Sequence, residues 1–208
     1  MSGILSDVDI KKELNKNVII FPYDEKNLGS CSYDITLDKH FYRFSKLKWY
    51  TLNPWSNASQ YWEYEKARKP TSEEQFIYEL KDNDLIFTLE KNELCLAVTN
   101  EFIGGRNNIT TMMKTRSSLG RCGLDITNGS SGYGDVGYFN KYTMELKNSS
   151  EVPIILIIGE RIGQIIFFYT SSPSEKSYEN KGSYQKANKL EDLINTWKPE
   201  DMLPKLKR

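Results

Sequence analysis

The sequence is poorest in histidine, since His40 is the single histidine among 208 residues. Zinc sites in proteins take most of their ligands from histidine and cysteine side chains. A Ser-His-Asp triad also needs a histidine as its base, and His40 alone could supply it. This residue lies in a short segment that is typical of a strand edge. The sequence therefore excludes a multi-histidine metal centre and predicts chemistry that works without zinc.

Cysteine, excess charge of one sign and long apolar runs are also scarce. Cys31, Cys95 and Cys122 are odd in number and widely spaced, which argues against a disulfide framework and for a reducing compartment. The 28 acidic and 28 basic residues cancel, whereas a general binder of nucleic acid or membrane surfaces carries a basic excess. The longest apolar run, residues 154–158, is too short to cross a bilayer. With no signal peptide at the N-terminus, we expect a cytoplasmic protein without nucleic-acid or membrane partners.

Short strand patterns dominate what is present. Residues 32–37 alternate polar and apolar side chains, as a half-buried strand does. Further segments rich in β-branched or aromatic residues lie at 76–80, 84–89, 93–99, 109–114, 143–148, 152–158 and 162–169. Helices are predicted at residues 7–15, capped by Ser6, and at residues 190–197. The pattern predicts a mainly β fold, a sandwich, jelly roll or small barrel with a few short helices.

The length predicts a single domain, residues 1–208, in which residues 171–208 form a flexible C-terminal arm and tail. Residues 45–75 differ from the rest, because six tryptophans and tyrosines are crowded among polar residues and two prolines without a clear period. That composition is typical of a surface excursion whose aromatic side chains pack on their own domain. A subunit interface or a ligand lid is the alternative.

Residues 116–124 concentrate groups that can hold phosphate. The stretch is Arg-Ser-Ser-Leu-Gly-Arg-Cys-Gly-Leu and follows a predicted strand. Guanidinium groups, two hydroxyls and the backbone N–H groups near Gly120 can together bind a phosphate chain. An ordinary polar surface turn has the same composition, so these residues alone leave both interpretations open.

Two carboxylates follow this stretch. Asp135 lies in a predicted turn with Tyr138, where a carboxylate can accept a sugar hydroxyl and a ring can lie beneath the sugar. An Asx-turn with a packing tyrosine is the alternative. Glu145 lies on a predicted strand, and a half-buried carboxylate there would need a partner, for which Arg116 and Arg121 are the candidates. A solvent-facing glutamate on an edge strand is the alternative.

Six segments in order resemble the dCTP deaminase family, which shares its fold and trimeric assembly with the trimeric dUTP diphosphatases. They are residues 4–10, 32–37, 93–99, 116–121, 135–138 with 143–146, and 159–164. The resemblance implies a distorted β-barrel or jelly roll of the dUTPase-like (β-clip) type and a homotrimer with shared active sites. It implies a deoxynucleoside triphosphate as ligand, with Mg²⁺ bound through the triphosphate and no zinc. A zinc-dependent base deaminase would need His-x-Glu and Pro-Cys-x-x-Cys, and neither occurs.

The same resemblance implies the roles of the site residues. Glu145 would take a proton from water and return protons to the base, while Ser117 and Arg121 would hold the water and the carboxylate. The implied nucleotide-binding residues are Arg116, Ser118, Gly120, Asp135, Tyr138, Ser131, Tyr178, Lys181, Tyr184 and Gln185. The implied reaction is hydrolysis of dCTP to dUTP and ammonia, and a continuation to dUMP and pyrophosphate stays open. The alternatives are a dUTP diphosphatase and a regulatory trimer that binds deoxynucleotides without turnover.

Residues 125–134 depart from the family's pattern, because they lack its histidine and place Ser130 and Ser131 where Thr-Ala is usual. Gly132, which follows this pair, resembles members that continue to dUMP. In the dUTP diphosphatases the position of Glu145 is generally apolar, so the glutamate favours deamination. Ser183 stands where a phosphate-binding lysine is usual, and Lys181 or Lys186 are candidate substitutes.

Overall fold

The computed structural model describes residues 3–45, 51–130 and 132–206. Its strands are β1 (Gly3–Ile4), β2 (Val18–Phe21), β3 (Tyr33–Phe44), β4 (Trp62–Lys66), β5 (Ile86–Leu89), β6 (Leu94–Gly105), β7 (Ile109–Thr115), β8 (Leu124–Asp125), β9 (Tyr133–Gly134), β10 (Phe139–Asn148), β11 (Ile154–Ile157) and β12 (Arg161–Tyr169). Its α-helices are α1 (Asp7–Glu13), α2 (Ser72–Tyr78), α3 (Ser117–Arg121), α4 (Tyr178–Lys181) and α5 (Leu190–Thr196). The prediction of a mainly β fold with a few short helices is confirmed.

One large antiparallel sheet organises the chain. Its strands run in the order β8-β10-β6-β3-β12-β7-β9, and β1, β2 and β4 add to β12, β6 and β3 respectively. Strands β5 and β11 form a separate pair that packs on the sheet, where the rings of Phe87 and Phe41 stack at 3.8 Å between centroids. The main hydrophobic core lies between these layers.

Strands β10 and β6 are the elements that matter most for the site. Along β10 buried Met144 and Leu146 alternate with Thr143, Glu145 and Lys147, which point to the other face. The register pairs Glu145 with Leu96 and Thr143 with Val98 on β6. Strand β8 pairs with only the last two residues of β10, so the edge of β10 next to Glu145 is open to a loop rather than to another strand.

One predicted strand is wrong. Residues 76–80 belong largely to helix α2, which begins after Thr71. The side chain of Thr71 accepts a hydrogen bond from the backbone of Glu74, and the Glu74 carboxylate accepts one from the backbone of Thr71. This capping box is a helix signal that outweighs the aromatic composition of residues 76–78. The side chain of Phe76 stays 88% exposed, so no sheet face covers it.

The segment at residues 45–75 contributes a further strand to the sheet. Strand β4 pairs with β3, and a short 3₁₀ turn before it, Ala58–Tyr61, buries Ala58 and Tyr61. The ring of Tyr61 stacks on Phe44 of β3. Tyr61 thus packs on its own domain, whereas Trp55 stays 59% exposed, and Trp49 and Tyr50 lie outside the described residues.

The C-terminal segment lies across the sheet in this structure. Leu193 of α5 is 2% exposed and packs with Ile19, Phe102 and Phe139. Further along, Met202 is buried as well. The flexibility expected of residues 171–208 stays a prediction. Within the described part of the chain, no helix is long and apolar enough to cross a membrane.

Candidate active site

A cavity of about 370 Å³ opens beside β10. It is lined by Leu96 of β6, by residues of β7 and of the loop that follows β8, by the turn and strand from Asp135 to Glu145, and by the C-terminal segment. Its polar and aromatic lining includes Ser130, Asp135, Tyr138, Lys141, Thr143, Glu145, Tyr178 and Tyr184. The volume falls in the usual range for a small-molecule site.

Glu145 lies at one side of this cavity with an exposed side chain. The Oγ of Ser130 donates a hydrogen bond to Glu145 Oε2 at 3.1 Å. The backbone N–H of Glu145 donates to the carbonyl of Ile126 at 2.9 Å. The partner of this carboxylate within the chain is therefore a serine hydroxyl, and Arg116 and Arg121 do not take that place. Ser131, which the sequence predicted to be a nucleotide-binding residue, lies outside the described residues.

The loop that carries Ser130 is held by one carboxylate. Asp125 Oδ1 accepts hydrogen bonds from the backbone N–H and the hydroxyl of Thr127 at 2.8 and 3.0 Å. Its Oδ2 accepts one from the backbone N–H of Gly129 at 2.8 Å. Burial by itself raises the pKa of Asp125, but these hydrogen bonds outweigh it and hold the pKa below its ordinary value. Asp125 thus stays ionised and fixes the loop that presents Ser130 to Glu145.

Asp135 and Tyr138 form a tight turn directly before the first residue of β10, Phe139. The N–H of Tyr138 donates to the carbonyl of Asp135 at 3.0 Å, and the Asp135 side chain is exposed to the cavity. The Tyr138 ring meets Tyr142 and Tyr178 edge to face, with centroids 4.9 and 5.0 Å away. Burial raises the pKa of Tyr138 well above its ordinary value, so its phenol stays protonated near neutral pH.

The arm closes against this turn. Tyr178 donates its backbone N–H to Val136 at 2.9 Å, and its hydroxyl accepts from the N–H of Tyr184 at 3.0 Å. Gln185 accepts from the N–H of Phe139 at 2.8 Å and donates to the carbonyl of Gly137 at 3.1 Å. Tyr178 and Tyr184 therefore line the cavity, whereas Gln185 holds the arm in place. Lys181 lies in α4, and its side chain is outside what the structure describes.

The stretch at residues 116–121 is not part of this cavity in the same chain. Ser117, Ser118, Gly120 and Arg121 lie on helix α3 and are exposed. Arg116 lies just before the helix, and its guanidinium pairs with Asp34 at 3.3 Å. Asp34 also accepts from Arg161 at 3.2 Å and from Gln164 at 3.1 Å. One chain thus presents these groups on its surface and does not bring them to its own Glu145.

Sequence reasoning missed several lining residues. Lys141 lies on β10 two residues before Thr143 and pairs with Asp38, both side chains being nearly buried. Strand alternation could have found Lys141, since it shares a face with Glu145. The C-terminal contributors, Trp197, Asp201, Met202 and Pro204, carry no signal in the sequence that points to the site.

The chain is similar to known proteins over most of its length. A sequence profile described as dCTP deaminase-like matches residues 4–170. A protein of Beutenbergia cavernae named "dCTP deaminase, dUMP-forming" is 31% identical over 176 residues, which cover 84% of this chain and 84% of that protein. A protein of Methanopyrus kandleri with the same name is 34% identical over 188 residues, which cover 87% of this chain and 90% of that protein.

A solved structure, the 2′-deoxycytidine 5′-triphosphate deaminase from Agrobacterium tumefaciens, aligns with 81% of this chain at a TM-score of 0.57 and 16% identity. The aligned part spans 47% of the length of that chain, about half of it. At this identity the likeness concerns the fold alone, and the predicted dUTPase-like fold is confirmed.

Proposed function

The chain belongs to the dCTP deaminase-like family, and from this premise we propose that it hydrolyses dCTP to dUMP, ammonia and pyrophosphate. One water replaces the amine of the cytosine ring, and a second water cleaves the bond that releases pyrophosphate. The dUMP-forming names of the relatives support the second step. The observation that carries the first step is the exposed Glu145 carboxylate in a cavity of about 370 Å³.

Glu145 acts as the general base and acid of the deamination. Ser130 donates to Oε2, and in this proposal Oε1 takes a proton from the attacking water. The water oxygen adds to C4 as the C4=N3 double bond opens, and Glu145 delivers the water proton to N3. The proton of the new C4 hydroxyl then passes through Glu145 to the amine, the C4–N bond breaks, and ammonia leaves behind a C4 carbonyl. A positioned carboxylate that moves a proton in this way supplies about 10²–10⁴-fold in rate. Ser130 is the positioning residue that orients the carboxylate.

Asp135 and Tyr138 hold the sugar in this proposal. The exposed Asp135 carboxylate accepts a deoxyribose hydroxyl. The Tyr138 ring is fixed between Tyr142 and Tyr178 and takes the position beneath the sugar, where an additional 2′-hydroxyl would have no room. The nucleoside therefore extends from this turn along β10 toward Glu145.

The site is completed by a neighbouring subunit of a homotrimer. The support is the separation described above: helix α3 is exposed and lies outside the cavity of its own chain. Ser117 and Arg121 of one subunit then approach Glu145 of the next, and Arg116 and Ser118 approach the phosphate chain. Asp34 positions Arg116 for this contact through their ion pair.

Mg²⁺ fits this site as a partner of the phosphates. Its preferred ligands are oxygen atoms, and it commonly keeps several waters. Among the described residues, no group of three or more His, Cys, Asp or Glu side chains could hold a metal. In this proposal the phosphate oxygens of the bound nucleotide would hold the ion, which would neutralise part of the charge of the triphosphate.

The experiment is an incubation of the protein with dCTP and with dUTP in the presence of Mg²⁺, with separate assays of ammonia and pyrophosphate. We expect both products from dCTP. Glu145→Gln should lower ammonia release by at least about 10²-fold while dCTP binding survives. Glu151→Gln, at a glutamate whose side chain is 82% exposed on a turn, is the matched control and should act as the wild type.

Three results would contradict the proposal in different ways. Ammonia release that survives in Glu145→Gln would remove the assigned role of Glu145. Pyrophosphate from dUTP with no ammonia from dCTP would identify a dUTP diphosphatase. Binding of dCTP without either product would identify a regulatory nucleotide-binding protein.

A further inference from the structure

The C-terminal strap, residues 190–206, lies beyond the part of the chain that matches the family profile. It consists of α5 and the 3₁₀ turn Pro199–Met202. Its buried side chains reach two separate clusters on the sheet. Leu193 packs with Ile19, Phe102 and Phe139, and Met202 packs with Tyr42, Leu96 and Val98. Trp197 packs against both clusters, so the strap is tied down along its length.

The sheet register and the packing of Met202 place its side chain on the face of the sheet that carries Glu145. In an antiparallel pair, residues directly opposite each other point to the same face. Leu96 is opposite Glu145, and Val98 is opposite Thr143. Met202 covers Leu96 and Val98 on that face, is 3% exposed and lines the cavity together with Leu96. Met202 and Leu96 thus form an apolar wall of the cavity beside Glu145.

Polar contacts hold the strap at this position. Lys186 pairs with Asp201 at 2.6 Å, and the side chain of Asp201 is 10% exposed. The N–H of Lys205 donates to the hydroxyl of Tyr184 at 3.1 Å. The ammonium of Lys141 lies 5.0 Å from the centroid of the Trp197 ring. These contacts fix the strap both before and after Met202, so the side chain of Met202 is held at the cavity.

The two sides of Glu145 differ in polarity. Ser130 lies on one side and hydrogen-bonds the carboxylate, with Thr127 in the same loop and also lining the cavity. Met202 and Leu96 lie on the side of β6. In cytosine, C4 has a polar neighbour, N3, and an apolar neighbour, C5. A buried polar atom needs a hydrogen-bond partner, whereas a C–H edge is best placed against apolar side chains.

From this arrangement we infer that Met202 is a specificity-determining residue whose side chain packs against the C5 edge of the pyrimidine. The inference rests on the proposed function, since Glu145 must act at C4. The wall then admits a hydrogen at C5 and rejects a methyl group there. The strap, which the family profile does not include, contributes this selectivity to the site.

The test compares dCTP with 5-methyl-dCTP as substrates of the wild type, Met202→Ala and Leu193→Ala, with kcat/KM measured for each pair. Leu193 is the matched control, because it is a strap residue of similar burial that packs away from the cavity. One methyl group in an apolar pocket changes kcat/KM by about tenfold or more. We expect Met202→Ala to raise the ratio of 5-methyl-dCTP to dCTP by about tenfold, and Leu193→Ala to leave it unchanged.

The inference would be overturned if the ratio of kcat/KM for 5-methyl-dCTP to that for dCTP were unchanged in Met202→Ala, or changed equally in both variants. The strap would then only stabilise the fold. Thermal unfolding checks that each variant is folded. Should Met202→Ala fail to fold, Met202→Val is the second variant, because it keeps an apolar side chain but a shorter one. We expect it to raise the ratio of 5-methyl-dCTP to dCTP as well. A wild type that releases no ammonia from dCTP would instead refute the proposed function, so the two failures are distinguishable.

Discussion

Replacing Asp125 by asparagine tests how the loop beside Glu145 is built. The carboxylate accepts the N–H groups of Thr127 and Gly129 on its two oxygens. Asparagine keeps one acceptor oxygen and turns a donor toward one of these N–H groups. A hydrogen bond to a charged group contributes about 1.5–3 kcal/mol. We therefore expect Asp125→Asn to lower the free energy of unfolding by about 2 kcal/mol, or Tm by about 4–8 °C.

The stability difference between the wild type and Asp125→Asn should depend on pH in a defined direction. The folded pKa of Asp125 lies below its ordinary value, so the carboxylate stabilises the folded protein at pH values above about 4, the unfolded pKa. That contribution is lost as the pH falls through the folded pKa. The stability difference between the wild type and Asp125→Asn should therefore be full at pH 7 and shrink toward pH 3.

Urea unfolding at these two pH values is the measurement, and kcat for ammonia release is the functional readout. Because Ser130 is positioned by the same loop, kcat should fall in Asp125→Asn. Asp82→Asn, at an exposed carboxylate in a turn before β5, is the control. Equal unfolding midpoints for the two variants at pH 7 would refute the assigned role of Asp125.

Two further substitutions test the packing around the cavity. Asp38→Asn should lower the free energy of unfolding by about 3 kcal/mol in urea, because it leaves the nearly buried ammonium of Lys141 without its carboxylate partner. The double variant Asp38→Asn with Lys141→Met should recover most of that loss. Losses that add in the double variant would contradict the pairing. Gly132→Ala should lower Tm more than Gly129→Ala, because both positions have positive φ but only at Gly132 would the new Cβ lie 2.8 Å from the Cβ of Met113. Equal changes in Tm would show that this contact relaxes without cost.

Strand positions were predicted well where one face is buried. The alternation at residues 143–148 indicated which side chains share a face, and β10 has that arrangement. The prediction failed at residues 76–80, where exposed aromatic residues imitate a strand while Thr71 and Glu74 cap a helix. Local composition misleads there, because the side chain of Phe76 stays exposed on the helix and does not pack in the sheet.

The site was predicted in parts. Asp135, Tyr138, Tyr178 and Tyr184 line one cavity with Glu145, and their roles in nucleotide binding stay predictions. The expected arginine partner of Glu145 is absent from its own chain's cavity, as far as the structure describes it, and Ser130 takes that place. A carboxylate's partner is set by the loop that reaches it in space, and residue types alone do not specify that loop.

The sequence by itself determined which residues share a face of β10, because a strand's period of two sets side-chain directions locally. Only the tertiary structure decided what lies opposite that face. The register of β6 brings Leu96 beside Glu145, and the strap returns more than fifty residues later to cover it with Met202. Such contacts depend on how the sheet closes and the chain returns, and no local period encodes them.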